Sequence, residues 1–197
     1  MQRNTGGGLA VLLGGTAALL LLTGCYLWWL GSHGLGTPRL GGAWTLTRGD
    51  GQVVSDRDYR GRYLLVYFGY TACPDVCPTT LAAVQGAMHA LGPRADQLQP
   101  LFISIDPTRD TPDVVQRYVD AFGPGLVGLT GTTAQIRLVQ QEYRVRSTLR
   151  HGPGREDYAL DHSAALLLVG PDGRYLAPFP ADETPDQIVA QLARYLG

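Results

Sequence analysis

The sequence is short of cysteine and has no block of one charge sign. Three cysteines in 197 residues, two of them close together and the third inside a hydrophobic segment, exclude a disulfide-stapled scaffold. The formal net charge is -1, with no run of Lys or Arg and no basic helix, so the electrostatic footprint of a nucleic-acid binder is missing. No internal repeat is visible. Glycine and proline are plentiful, at 26 and 13, which predicts turn-rich connections around a core of ordinary apolar content.

Charge is absent altogether from Leu9 to Leu30. As a helix that stretch would reach roughly 33 Å, about one bilayer core. Trp28 and Trp29 stand at its far end, where an aromatic belt is expected. Arg3 and the amino terminus precede it, favouring a cytoplasmic start and a domain on the other side. A rival is a lipoprotein signal, because Leu22-Thr23-Gly24-Cys25 has the form of a lipobox. Against cleavage, Tyr26 to Leu30 stays apolar, and an uncleaved anchor is the expectation. Both readings tether the domain to the inner (cytoplasmic) membrane, facing the periplasm. The expected layout is an anchor (or lipoprotein signal) over 1–30, a flexible Gly-rich linker over 31–42 and a folded domain over 43–197.

The stretch that organises the domain is Tyr70-Thr71-Ala72-Cys73-Pro74-Asp75-Val76-Cys77-Pro78. It lies between an all-apolar run, Leu64 to Phe68, and a helix-periodic run, Leu81, Val84, Met88 and Leu91. That predicts a strand, a tight turn and a helix from about Pro78 to Leu91, with both sulfurs at the helix entrance. Such a position favours a thiolate over a thiol.

Before it, Trp44-Thr45-Leu46 and Val53-Val54 flank Gly49-Asp50-Gly51, a hairpin signal for a sheet edge. After it come a second buried strand, Leu101 to Ile105, and a helix capped by Thr111 with Pro112 at its first position. A short strand, Leu126 to Leu129, precedes a helix capped by Thr132 or Thr133. Residues 146 to 160 are polar and broken by Gly and Pro, an excursion rather than core. Ala164 to Val169, a Gly170-Pro171-Asp172-Gly173 turn and Tyr175 to Ala177 form a hairpin, and Thr184-Pro185 opens a last helix. A parallel half joined to an antiparallel half gives an α/β fold, a thioredoxin-like mixed sheet with helices on both faces. Its working cysteines belong after the first core strand, where Cys73 and Cys77 are.

Three residues separate those thiols, one more than thioredoxin-like oxidoreductases usually carry. The pair can close a disulfide or hold both sulfurs toward one soft metal, with a third ligand deciding which. His33, His89, His151 and His162 are the candidates. His162 stands in a loop entering the hairpin strand, which in this arrangement faces the cysteine loop, whereas His89 and His151 read as surface residues. His151 is at most an auxiliary ligand. Two thiolates with one imidazole suit Cu(I) in trigonal geometry, and Cu(II) with a further ligand. Asp161 is a candidate acceptor orienting the imidazole, Arg109 a candidate rim residue paired to a carboxylate, and Asp75 a charge that raises thiol pKa or faces water.

The three motifs Phe68-Gly69-Tyr70-Thr71-x-Cys73-Pro74-Asp75-Val76-Cys77-Pro78, Asp106-Pro107-x-Arg109-Asp110-Thr111-Pro112 and Asp161-His162-Ser163 together resemble the Sco/SenC family. The likeness covers about Gly42 to Leu196. It implies a membrane-tethered, thioredoxin-fold, copper-binding metallochaperone, not itself an enzyme, for the copper A site of cytochrome c oxidase subunit II. It places the copper ligands on Cys73, Cys77 and His162, and leaves room for another copper chaperone as donor. The alternative is a thiol:disulfide oxidoreductase in which Cys73 and Cys77 are the redox pair keeping oxidase cysteines reduced. A peroxiredoxin-type peroxidase is set aside, because neither cysteine follows Pro-x-x-x-Thr-x-x-Cys. If the anchor is uncleaved, the mass of the mature protein retains residues 1–24; their loss would establish lipidation at Cys25.

Overall fold

A computed structural model of the chain describes residues 21–29, 40–151 and 158–196. The chain divides into two units, Met1–Pro38 and Arg39–Gly197. In the first, residues 21–29 form a helix (α1) whose side chains are exposed, Cys25 among them, with the rings of Tyr26 and Trp29 stacked. Most of the expected anchor (Leu9 to Leu20 and Leu30) and the linker up to residue 39 lie outside the described residues. Among the described residues no helix is long and apolar enough to cross a membrane.

In the second unit, β1 (Thr45–Arg48) and β2 (Val53–Ser55) form the expected edge hairpin. The apolar run becomes β3 (Tyr63–Gly69), followed by α2 (Val76–Leu91), β4 (Leu98–Ser104), α3 (Pro112–Asp120), β5 (Val127–Thr130) and α4 (Thr133–Glu142). Next come β6 (Ser147–His151), β7 (Tyr158–His162), β8 (Ala165–Val169), β9 (Tyr175–Pro180) and α5 (Pro185–Leu192). Among the described residues, seven strands make one sheet in the order β2-β1-β5-β4-β3-β8-β9. Strands β3, β4 and β5 run parallel, while β1, β8 and β9 join antiparallel. The mixed thioredoxin-like sheet is as expected.

Strand β3 lies inside the sheet, between β4 and β8, and its pleat supplies both cores. Leu65 and Tyr67 pack with α2, α3 and α5 through Leu81, Val84, Val115 and Ile188. Leu64, Val66 and Phe68 pack on the other face with α4 through Ile136 and Val139. Burial on both faces is why this run shows no polar alternation. Each such side chain, fully buried, contributes about 1.5–3 kcal/mol.

Helix starts follow the side chains available. Thr132 and Thr184 each complete a capping box, with Gln135 and Gln187. Thr111 precedes Pro112 but makes no capping hydrogen bond through its side chain; proline, which has no N–H, already removes one orphan donor there. In the β8–β9 turn Gly173 holds φ 76°, the left-handed region that favours glycine.

The polar excursion after residue 146 stays outside the main sheet, as expected, and among the described residues it holds two strands that the sequence did not announce: β6 and β7 pair antiparallel as a separate two-stranded ribbon, with Ser147 opposite His162 and His151 opposite Tyr158. All five residues of β6 are exposed, so no apolar alternation marked it as a strand.

Gly69, where β3 ends, has no room for a methyl group. A Cβ there would lie 2.8 Å from Cys77 Sγ and 2.9 Å from Phe102 Cε2. Gly69→Ala is therefore expected to lower stability by about 1–3 kcal/mol, the usual cost of overpacking, read as a reduced denaturation midpoint at unchanged slope.

Candidate metal centre

The chain leaves β3 at Gly69 and turns at once, Cys73 N–H donating to the Tyr70 carbonyl at 3.2 Å. Asp75, exposed, is the residue ahead of α2. Cys77 occupies the first helical turn and is fully buried, whereas Cys73 is half-buried and packs partly against both cores. Pro78 falls in the same first turn, where its missing N–H is no loss. Both cysteines are free thiols.

The loop is tied down from β4's exit. Asp110, 1 % exposed, accepts from Thr71 N–H at 2.9 Å, Thr71 Oγ1 at 2.6 Å and Ser104 Oγ at 2.5 Å. Its own carbonyl accepts from Thr130 Oγ1 on β5. Asp110 carries no role in the sequence reading beyond its place in a motif. The available signal was three charged residues, Asp106, Arg109 and Asp110, crowded at the exit of a fully buried strand.

His162 reaches the same point from the ribbon. It is the last residue of β7, not a loop residue as the sequence suggested. Its Nε2 lies 3.8 Å from Cys77 Sγ, across 85 positions of sequence. Nδ1 is 3.3 Å from the Ser163 carbonyl. A carbonyl only accepts, so Nδ1 carries the hydrogen and Nε2 turns its lone pair toward Cys77. Tyr67 and Tyr70 bracket the imidazole edge-on, with centroids 6.2 and 6.3 Å away. The Tyr67 hydroxyl also donates to Cys77 Sγ at 3.7 Å.

Burial sets the protonation states. It pushes the Cys77 thiol up to about 12, with the neighbouring Cys73 adding to the rise. The expectation that the helix entrance favours a thiolate fails for this cysteine, because desolvation outweighs the partial charge at the helix end. Burial also holds the His162 pKa below the usual imidazole value, opposed by the Ser163 carbonyl and the charge of Asp161. The ring is thus kept neutral, the form that can ligate a metal.

Other candidates fall away from the centre. Asp161 pairs with Arg150 instead of the imidazole, so the Ser163 carbonyl takes the orienting role expected of it. His89 and His151 are exposed; His151 stands four register steps from His162, roughly 13 Å along the ribbon, too far to assist. His33 lies outside the described residues. Arg109 pairs with Asp106 at the rim, as expected.

Two donors sharing one first-row ion through bonds of about 2.0–2.3 Å stand roughly 3.5–4.3 Å apart. The separation of Cys77 Sγ and His162 Nε2, 3.8 Å, falls in that range. Cys73 stands in contact with Cys77. Among the described residues no group of three or more His, Cys, Asp or Glu side chains is already gathered to hold a metal. The donor set, two sulfurs and a neutral imidazole, fits a soft ion such as copper. A cavity of about 660 Å³ lined by Gly41, Arg57, Arg60, Asp172 and Tyr175 sits at the other end of β3 and shares no residue with this centre.

A sequence profile described as SCO1/SenC matches residues 33–197. The chain belongs to the SCO1/SenC family. Within that family it is 41% identical over 164 residues to the human "Protein SCO1 homolog, mitochondrial", covering 82% of this chain and 54% of that protein. To "Protein sco1" of Schizosaccharomyces pombe it is 36% identical over 167 residues, covering 82% and 62%. The chain thus spans just over half of these curated SCO1/SenC relatives. Among solved structures, Bradyrhizobium japonicum ScoI with copper bound matches at 41% identity and a TM-score of 0.74, over 80% of this chain and 99% of that one. Yeast Sco1 with copper bound matches at 32% identity and a TM-score of 0.74, over 80% and 88%.

The lowered His162 pKa fixes the sign of one pH effect. Above about pH 6.5 the ring is neutral in native and unfolded chains alike. As pH falls below that value the unfolded chain takes up a proton that the native state refuses. Stability therefore declines until pH passes the lower native pKa. An NMR titration of the metal-free protein should give a His162 midpoint below 6.5, and His162→Ala should lessen the fall in denaturation midpoint over that window.

Proposed function

We propose that this chain binds copper through Cys73, Cys77 and His162. It acts as a membrane-tethered metallochaperone in the assembly of the copper A site of cytochrome c oxidase. The observation that carries the reading is the meeting of Cys77 Sγ with the lone-pair side of His162 Nε2 at 3.8 Å, from elements remote in sequence. Similar proteins solved with copper bound support it.

The residues divide the work. The Ser163 carbonyl fixes the tautomer and burial keeps the imidazole neutral, so no proton must leave the ring before it can ligate. Cys77, buried and protonated, gives up its proton only when a cation arrives. Copper, when bound, supplies the positive charge that offsets the cost of buried thiolates. Cys73, nearer the surface, is the donor positioned to meet an incoming ion and to pass it on. Oxidase subunit II is the proposed recipient, with another copper chaperone as donor. The tether would be residues 1–30 and the linker 31–42, holding the 43–197 domain on the periplasmic side of the inner membrane.

A second reading, a thiol:disulfide oxidoreductase acting on oxidase cysteines, is favoured by the contact between two free thiols. It needs the cysteines but not the histidine. Copper titrated into the reduced protein is expected to saturate near about one equivalent, with His162→Ala lowering affinity by at least about 10-fold. Unchanged affinity in that variant refutes the ligand set. Loss of oxidase assembly on Cys73→Ser or Cys77→Ser, with full assembly in His162→Ala, gives the oxidoreductase the function.

A further inference from the structure

The two halves of the centre belong to different hydrogen-bond systems: the cysteines follow the seven-stranded sheet, and His162 ends a ribbon separate from it. Something has to register one against the other. At the Ser163 end the ribbon is held by the chain itself, which runs from His162 through Ser163 and Ala164 directly into β8 of the main sheet. At the Tyr158 end the fastening is made by two side chains from the loop after β4, Arg109 and Asp106. The Arg109 guanidinium lies 3.7 Å from the centroid of the Tyr158 ring and donates through Nη1 to the Tyr158 carbonyl at 3.1 Å. Its Nε pairs with Asp106, a carboxylate only 3 % exposed, and that carboxylate accepts from the Tyr158 hydroxyl at 2.8 Å. The guanidinium also lies 5.6 Å from the centroid of the Tyr70 ring, and Tyr70 meets His162 edge-on. Tyr158, Arg109, Tyr70 and His162 thus form a continuous series of contacts.

The next residue along the chain, Asp110, holds Thr71 of the cysteine loop. Adjacent residues of one rigid turn, Arg109 and Asp110, therefore grip the histidine strand and the cysteine loop respectively. The turn is closed by backbone bonds from Arg109 N–H and Asp110 N–H to the Asp106 carbonyl. We propose that Arg109 is a positioning residue that sets where His162 stands relative to Cys77. It touches neither thiol nor imidazole and acts through Tyr158 and Tyr70. The inference rests on reading Cys73, Cys77 and His162 as a copper site. An arginine is required because stacking on tyrosine, and reaching a carboxylate through Nε and a carbonyl through Nη1 at once, both use a planar guanidinium, which lysine lacks.

The test compares Arg109→Ala and Arg109→Lys with the parent, alone and in a His162→Ala background. Copper affinity is expected to fall about 10- to 100-fold in Arg109→Ala, in keeping with residues that orient a ligand, and by less in Arg109→Lys. In the His162→Ala background the same change should cost little further, because its effect passes through the imidazole. Amide exchange across Tyr158–His162 should quicken in Arg109→Ala while β3 and β4 stay protected, and the Cys73/Cys77 dithiol potential should hold. Equal losses in both backgrounds would overturn the proposal, as would unaltered ribbon exchange in a folded Arg109→Ala. If that variant does not fold, Tyr158→Phe removes the bond to Asp106 and keeps the ring; it should move affinity and exchange the same way by a smaller amount, and no movement in either counts against the proposal. Absence of copper binding by the parent itself would sink the metal reading, while the exchange data still decide whether Arg109 fixes the ribbon.

Discussion

A buried carboxylate holds this site together. Asp110 sits in the interior, and a charge there is tolerated only because donors surround it: a backbone N–H and two hydroxyls reach its oxygens. Those donors come from the cysteine loop and from the end of β4, and the residue's carbonyl engages β5. Removing such a carboxylate leaves several desolvated donors without a partner, each costing about 1–3 kcal/mol. The arrangement therefore determines the loop's conformation more than any property of the cysteines does. The two sulfurs are carried by a loop that packs against both cores and is pinned at Thr71 by polar contacts.

The thiols are placed against the grain of simple electrostatics. Full burial makes Cys77 a poor nucleophile and a reluctant acid, the reverse of an activated redox cysteine. An imidazole 3.8 Å away is held neutral by the same burial. Two groups suppressed in their charged forms, facing each other, make little sense as an acid–base pair. They make sense as donors awaiting a cation, because a metal reverses the balance that desolvation imposes on a thiol.

Much of this was legible in the sequence. The unbroken apolar run of β3 announced a central strand buried on both faces, and the cysteine pair directly after it located the site. Thr184-Pro185 and the pair Thr132 and Thr133 marked helix starts from local chemistry alone. The ribbon was not legible: β6 exposes every residue, so no burial imprinted a pattern on it. Nor was the orienting group for His162, since a backbone carbonyl leaves no trace in residue identity, and the adjacent Asp161 was the more visible acceptor. Asp110 was in plain sight within a motif, yet its role depends on which distant hydroxyls the fold delivers to it.

The margins of the main sheet differ in how they end. On one side β2 is only three residues long; on the other, β9 carries Pro178 and Pro180. Proline offers no amide hydrogen, and a strand that short presents few free pairing groups. Neither border is a template on which a foreign strand can extend the ladder. Molecules of this protein crowded side by side would therefore resist edge-to-edge stacking and stay individually available for encounters at the end of β3 that carries the cysteine loop.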